Sequence, residues 1–360
     1  MTLKHDNEIL GGLQFFLDAP PTTGAGFGTP VLLSGESGLD GDDFRVYTSV
    51  EQAAADEDAG DIDLFALDAI TTAFSQPVPP PSVIVAHADG GGGSPDVADY
   101  LAALDAVRAV RFVGWCVADI RDAQDQIDVA AGCAARRVGF VIQSSASDLL
   151  GATLGMQWGA LETLEYVMVN YHPEDGEKLD MAVTARNIAP NADNFSRNWT
   201  GRIAAVDPYA AGSVTETQYQ NAIGNNVNLL GEFGGRPNWL YPGKMINGRP
   251  ASEIVSAQWF EVRVKERIAN LFDRLDARNL KLPVNSAGQA ALRSEIETQF
   301  TLGVGAGHFE PGQLLITEPE ITEADRDEQR IPIEVALQTQ TGAIKILGSV
   351  FFSRQPVIED

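Results

Sequence analysis

Four histidines, two cysteines and fifty carboxylates are the side chains of this 360-residue chain with the widest chemical range. His5, His87, His172 and His308 stand far apart, and none has a second His or a Cys at metal-ligand spacing. His87 with Asp89, and His172 with Asp175, are the close His–carboxylate neighbours. A zinc site or a nucleophile–base pair needs a third partner that the spacing does not offer, so strand-end and turn histidines are expected. There is no G-x-S-x-G elbow and no H-E-x-x-H helix. Cys116 in "VGWCVA" and Cys133 in "AAGCAA" read as buried, unreactive thiols. Gly90–Gly93 stands between a strand pattern and a helix pattern, where a phosphate-cradling turn would sit. It lacks the G-x-G-x-x-G spacing and the Lys-Ser/Thr of a P-loop, and Asp89 and Asp96 flank it, so a linker is expected. The acidic run 322–328 lacks the sixth-position Gly and terminal Glu of a calcium loop and reads as a solvated turn. No catalytic residue, metal or cofactor is expected.

Charge is more informative. Fifty Asp plus Glu oppose 25 Lys plus Arg, six of them lysines, for a formal net charge of −25. Such a surface repels nucleic acid and anionic lipid. The excess of Asp over Lys is the balance expected in a high-salt cytoplasm, where salt screens self-repulsion. Basic residues concentrate at Arg263, Lys265, Arg267, Arg274 and Arg278, a helical strip that could face an acidic partner. No apolar run reaches 18 residues, and residues 1–17 lack the apolar segment of a secretory signal, so neither membrane insertion nor general secretion is expected.

The elements that must position these groups alternate. Residues 1–30 lack any period and read as an arm. Strands are expected at 30–35, 43–50 and 82–88, with helices from Glu51 and over 61–76, the latter stopped by "PVPPP". After the Gly run come helix 96–109, strand 111–119, helix 121–135 and strands 137–144 and 164–172, a βαβ pattern implying a largely parallel sheet over 95–185. Residues 186–250 read as loop-rich, with a short helix at 215–224 opened by a capping box at "SVTE". A long helix over 252–279, N-capped by Ser252, and a second over 286–300, starting at Ser286, follow. The chain closes on strands 330–340 and 343–353 joined by the two-residue turn Thr341-Gly342, a hairpin signal.

In order and spacing these features resemble the contractile-tail sheath proteins of tailed viruses. The resemblance is carried by "GTPVLLSG", "FRVYTSVEQ", "AITTAFSQPVPPPSVIVAHA", the α/β stretch from "RFVGWCVAD" to "VGFVIQSS", the helical pair with "KLPVNSAG" between, and the closing strands. It spans residues 28–353. It implies a mixed α/β, multi-domain fold: an inner domain built from 31–90 and 190–342, with an outer βαβ domain inserted at 95–185. The arms would be 1–30 and 343–360. It further implies a non-enzymatic subunit forming hexameric rings stacked around a tail tube, between baseplate and tail-terminator proteins, in a virion tail assembled in the host cytoplasm. The inter-subunit strand would be Ala343, Ile344, Lys345, Ile346, Leu347, Gly348, Ser349, Val350, Phe351 and Phe352, added to a neighbour's sheet by main-chain hydrogen bonds. The 252–279 or 286–300 helix would lie near the tube. Other readings are the sheath of an extracellular injection device, a single-ring adaptor, and an α/β enzyme with a site beyond the carboxyl ends of its strands.

Overall fold

The computed structural model of the chain describes residues 28–339, apart from 37, 92–93, 189–198, 211, 328–330 and 332. Residues 1–27 of the expected 1–30 arm, the expected arm at 343–360 and the Thr341-Gly342 turn lie outside the described residues.

Five short apolar strands, β1 (Val31–Ser34), β3 (Val83–His87), β4 (Trp115–Ala118), β5 (Gly139–Ser144) and β6 (Val167–Tyr171), run parallel. β2 (Phe44–Tyr47) joins antiparallel at one edge, giving the order β2-β3-β1-β4-β5-β6. Near-continuous apolar strands are what a sheet covered on both faces requires. Alternation along each strand divides them between two cores. Val31, Leu33, Cys116 and Phe140 pack against α3 (Val97–Val110) and α4 (Ala123–Ala135). Leu32, Val85, Val117 and Met168 pack against α2 (Leu64–Phe74) and α6 (Leu179–Ile188). α1 (Val50–Ala59) covers the β2 end, and α5 (Met156–Gly159), between two 3-10 turns, joins β5 to β6.

Three of the acids serve as helix caps. Asp63, Asp96 and Asp122 accept first-turn amides of α2, α3 and α4, where an anion also complements the helix dipole. Ser49 caps α1 in the same way.

Three corrections to the sequence reading follow. β1 pairs with both β3 and β4, so residues 31–87 and 115–171 share one sheet, and the expected boundary at 90–95 between an inner part and an inserted domain runs through it. A Gly-rich loop can cross from strand to helix within one sheet as readily as it can link domains. Residues 186–250 are not merely loops: β7 (Gly201–Arg202), β8 (Leu229–Phe233) and β9 (Arg236–Tyr241) form an antiparallel sheet in the order β7-β9-β8. It abuts β6 where Asn228 bridges Asn170. The capping box of α7 (Glu216–Gly224) is Thr215 with Gln218, two residues beyond the expected Ser213 with Glu216.

The remaining elements are α8 (Ala251–Asp276), α9 (Ser286–Gly305), β10 (Phe309–Thr317), α10 (Glu323–Asp327) and β11 (Glu334–Thr339). α8 begins after Pro250 with no side-chain cap; Ser252, the expected N-cap, is buried within its first turn. α9 is capped by Asn285, whose side chain accepts from Ala287 and Gly288.

Candidate assembly surface

α8 ties the sheet body to the C-terminal elements. Its 26 residues span about 39 Å at 1.5 Å each. The first turns belong to the body, with Ala251, Ile254 and Val255 in the α2/α6-side core. Gln258 Nε2 donates to the carbonyls of Gly114 and Arg137 at 3.1 Å each. From Trp259 onward the helix enters a separate core with Phe260, Val264 and Ile268, closed by Leu292, Ile296 and Phe300 of α9 and by Phe309, Val335 and Leu337 of the sheet. Phe309 is its centre, stacked on Phe300 at 5.5 Å and edge-on to Phe260 at 5.4 Å. Gly303 permits this, since a Cβ there would meet the Phe309 ring at 2.5 Å. His308 is buried, stacked on Trp259 and within 3.0 Å of the Ser256 hydroxyl.

β10 and β11 form a two-stranded antiparallel sheet, and among the described residues each has one edge without a strand partner. Such an edge is a template for another chain's backbone. A groove of about 900 Å³, lined by apolar and charged side chains together, opens between the end of α8, the 280–284 loop and the lead into β11. Phe272 and Leu280, both on its wall, are 38% and 55% exposed. Sequence reasoning identified the β11 strand but neither β10 nor this groove, whose walls come from three separated segments. The 331–333 stretch of alternating isoleucines was the available signal.

The basic strip on α8 is largely matched by the protein's own acids. Arg263 pairs with Glu266 at 2.6 Å, and Lys265 with Glu261 at 2.8 Å. Arg274 hydrogen-bonds to Glu295 on α9, and Arg267 stands 3.2 Å from the same carboxylate as an ion pair, without hydrogen-bond alignment. Arg278 lies exposed just past the helix end. The strip therefore stitches α8 to itself and to α9, and offers an outside acid less than its sequence implied. The expected strand residues 343–352 lie outside the described residues.

At the carboxyl edge of the parallel sheet, where an α/β enzyme would place its site, several polar groups are bonded to one another, beside a recess of about 500 Å³ lined by His172, Glu174, Glu177, Asp207 and Tyr209. Asp119 accepts from Ser34 Oγ at 3.1 Å, the Gly35 amide at 2.8 Å and the Tyr100 hydroxyl at 2.7 Å. Burial pushes its carboxyl above the ordinary 3.8, against the pull of those donors. His172 is buried, accepting at Nδ1 from the Glu174 amide and reaching the Asp207 carbonyl at 3.1 Å through Nε2. His87 ends β3. Cys116 and Cys133 are buried with sulfurs 3.7 Å apart, and burial pushes the Cys116 thiol up. Asp89 accepts from the Gly91 amide, so it closes its own turn. Within the acidic run, Asp325 accepts from the amide and hydroxyl of Thr322. Among the described residues no three of His, Cys, Asp and Glu converge as a metal set, and no helix is long and apolar enough to cross a membrane.

No family model and no curated protein matches the chain. Solved structures do. A chain of the anti-feeding prophage baseplate, determined by cryo-EM with six-fold symmetry, superposes with a TM-score of 0.66 at 12% identity, over 91% of this chain and 93% of that one. A chain of the PVC extracellular contractile injection system, from its sheath complex in the contracted state, gives 0.61 at 12% identity, over 91% and 92%. The protein thus has a mixed α/β, sheath-like fold over nine-tenths of its length.

Proposed function

We propose that this protein is the structural subunit of a contractile sheath. The observation that carries the reading is a likeness covering 91% of this chain and over 90% of each partner, one from the anti-feeding prophage baseplate and one from the sheath of a contractile injection system, at identities where fold alone survives. Sheath subunits would stack as six-membered rings around a tube, with baseplate and terminator proteins at the ends. The extended form would be metastable and its contraction would drive the tube through an envelope, so no nucleotide site is required. Heterologous contacts of this kind build open helical assemblies rather than closed dimers. The open edges of β10 and β11 support strand exchange between copies through residues 343–352, since main-chain pairing makes little demand on sequence.

The tail of a virus, assembled in a host cytoplasm, is our first setting. A second is an extracellular injection device, favoured by the likeness to the PVC sheath chain. The net charge of −25 supports a high-salt environment for either.

Electron microscopy of the purified full chain tests the proposal. Striated tubes or long hollow polysheaths are expected; closed rings would point to an adaptor, and monodisperse monomers would reject assembly altogether. Deleting residues 343–360 should abolish tubes while the 31–171 sheet stays folded, and tubes from the truncated chain would remove that strand as the link. Nucleotides and sugars should leave the melting temperature unmoved; a shift of several degrees would favour the enzyme reading.

A further inference from the structure

The β7-β9-β8 sheet buries one face and bares the other toward its hairpin end. Leu230 and Leu240 point into the core that α2 also covers. On the opposite face, Gly231 of β8 and Arg202 of β7 both stand across from Trp239 of β9, so the three share a side. α7 covers part of that side: a Cβ on Gly231 would meet the Tyr219 hydroxyl at 2.9 Å, which places Tyr219 over the glycine. Nearer the turn, the Phe233 ring packs on Trp239 with centroids 5.0 Å apart and is 64% exposed. Trp239 and Tyr219 are half-buried, and Arg202 and Arg236 are exposed beside them. Trp, Tyr and Arg gathered on one surface are the side chains in which protein contacts concentrate their energy.

A surface of matching chemistry lies elsewhere on the chain. Residues 77–81, Pro-Val-Pro-Pro-Pro, join α2 to β3 without a charge, and Pro77, Pro79 and Pro81 are exposed. Each proline ring fixes φ at about −65°, so the run is held extended and has little freedom to lose on contact. Both of its ends are tied. Gln76 donates through Nε2 to the Ala204 carbonyl at 2.8 Å and accepts from the Ala204 amide at 3.2 Å. The hydroxyls of Ser82 and Thr29 lie within hydrogen-bond distance at 3.2 Å. Preformed proline runs dock on aromatic-lined surfaces. Proline brings no N–H, so the run presents carbonyls, and an arginine presents only donors.

We infer that the aromatic face of one copy, built on Tyr219, Trp239 and Phe233 with Arg202 and Arg236, receives the 77–81 proline run of a second copy. The run leaves from the end of α2, which covers the core on the sheet's other face, so one copy presents the two surfaces on different sides. A contact between unlike surfaces repeats from copy to copy instead of closing on a pair. The inference rests on the sheath reading and deepens it by naming one contact between subunits.

Trp239 reports on this face directly, because Trp115, Trp158, Trp199 and Trp259 are buried. In the full chain held below its assembly concentration, acrylamide should quench Trp239, and Trp239→Phe should remove the quenchable emission. A synthetic peptide of residues 75–83 should protect Trp239 saturably, lowering the quenching constant about threefold, while the same peptide with its four prolines replaced by alanine should not. Phe233→Ser, at an exposed hairpin position the fold can spare, should raise the half-saturating peptide concentration about tenfold. Protection by neither peptide, equal protection by both, or a Trp239 already shielded in the dilute chain would each overturn the contact. Tubes in which Trp239 stays as quenchable as in the dilute chain would sink the contact and leave the sheath reading standing. Proline-dependent protection in a chain that never forms tubes would keep the contact and remove the sheath reading.

Discussion

The parallel sheet and the β10–β11 pair differ in how completely they are closed. The larger sheet carries a core on each face, and its polar edge groups are bonded to one another. The smaller has one core, one helical layer and, among the described residues, edges without a strand partner. The first arrangement suits a body that must keep its shape under load. The second suits a joint, since unpaired backbone and an exposed groove are what another segment can occupy. α8 belongs to both cores, so one continuous helix links the joint to the body.

The largest expected effect separates the two cores. Phe309→Ala removes the ring at the centre of the C-terminal core and should cost about 3–5 kcal/mol there. Hydrogen exchange should rise from 259 to 339, while β1, β3 and β4 keep their protection. Equal loss in both regions would mean a single cooperative unit, and the contrast between body and joint would fail.

Gly303→Ala comes next. In an ordinary helix interior this change stabilises by about 0.5–1 kcal/mol. Here the added Cβ would stand 2.5 Å from the Phe309 ring and 2.9 Å from Trp259. Overpacking of this kind costs about 1–3 kcal/mol, so the sign should reverse in a denaturant melt. A stabilised variant would show that the aromatic cluster is loose enough to yield.

The body has its own probe in Asp119. Because burial raises its carboxyl above 3.8, the folded state holds a proton more tightly than the unfolded chain. Its contribution is therefore fullest below 3.8 and declines as pH rises through the raised value. Asp105 runs the other way: hydrogen bonds from Arg136 and then Arg108, outweighing partial burial, lower its carboxyl, so its contribution is present above 3.8 and lost as pH falls. Asp119→Asn should flatten the first decline while leaving the fold intact, since an amide can still accept from Gly35 and donate to the Tyr100 oxygen. Melting temperature across pH 3–7 would show it, and an unchanged slope would assign the decline elsewhere.

How much of this was legible follows from where the periodicities lie. The parallel strands were readable because burial on both faces leaves unbroken apolar runs, and the helices between them because Asp caps and Pro stops mark their ends. α6 was not; all ten of its residues are buried, including Asp180, Arg186 and Asn187, so its polar positions do not mark a solvent face. The β8–β9 hairpin did carry a signal, Gly234-Gly235 between two strand-like runs, hidden by the surrounding Asn and Pro. The undivided six-stranded sheet could not be read, because strand order is decided by packing across β1 rather than by any local pattern. β11 was legible; its pairing with β10 and the groove near the end of α8 required separated segments to be brought together.

The smallest expected effect asks how firmly the joint is stitched. Glu295 on α9 serves two cations of α8, Arg267 and Arg274, so Glu295→Gln removes the charge that binds the helices across their surface. Both arginines are substantially exposed, and water and salt screen such pairs, so the loss should stay below about 1 kcal/mol. The same substitution leaves Arg267 and Arg274 seeking another acid on a chain of net charge −25. If the joint meets a neighbouring subunit at this strip, the substitution should strengthen assembly at low salt, as those cations turn to the neighbour's carboxylates. If the strip serves only to pair α8 with α9, a small fall in stability is all that should appear. Sedimentation of wild-type and Glu295→Gln protein across a salt series separates the two outcomes.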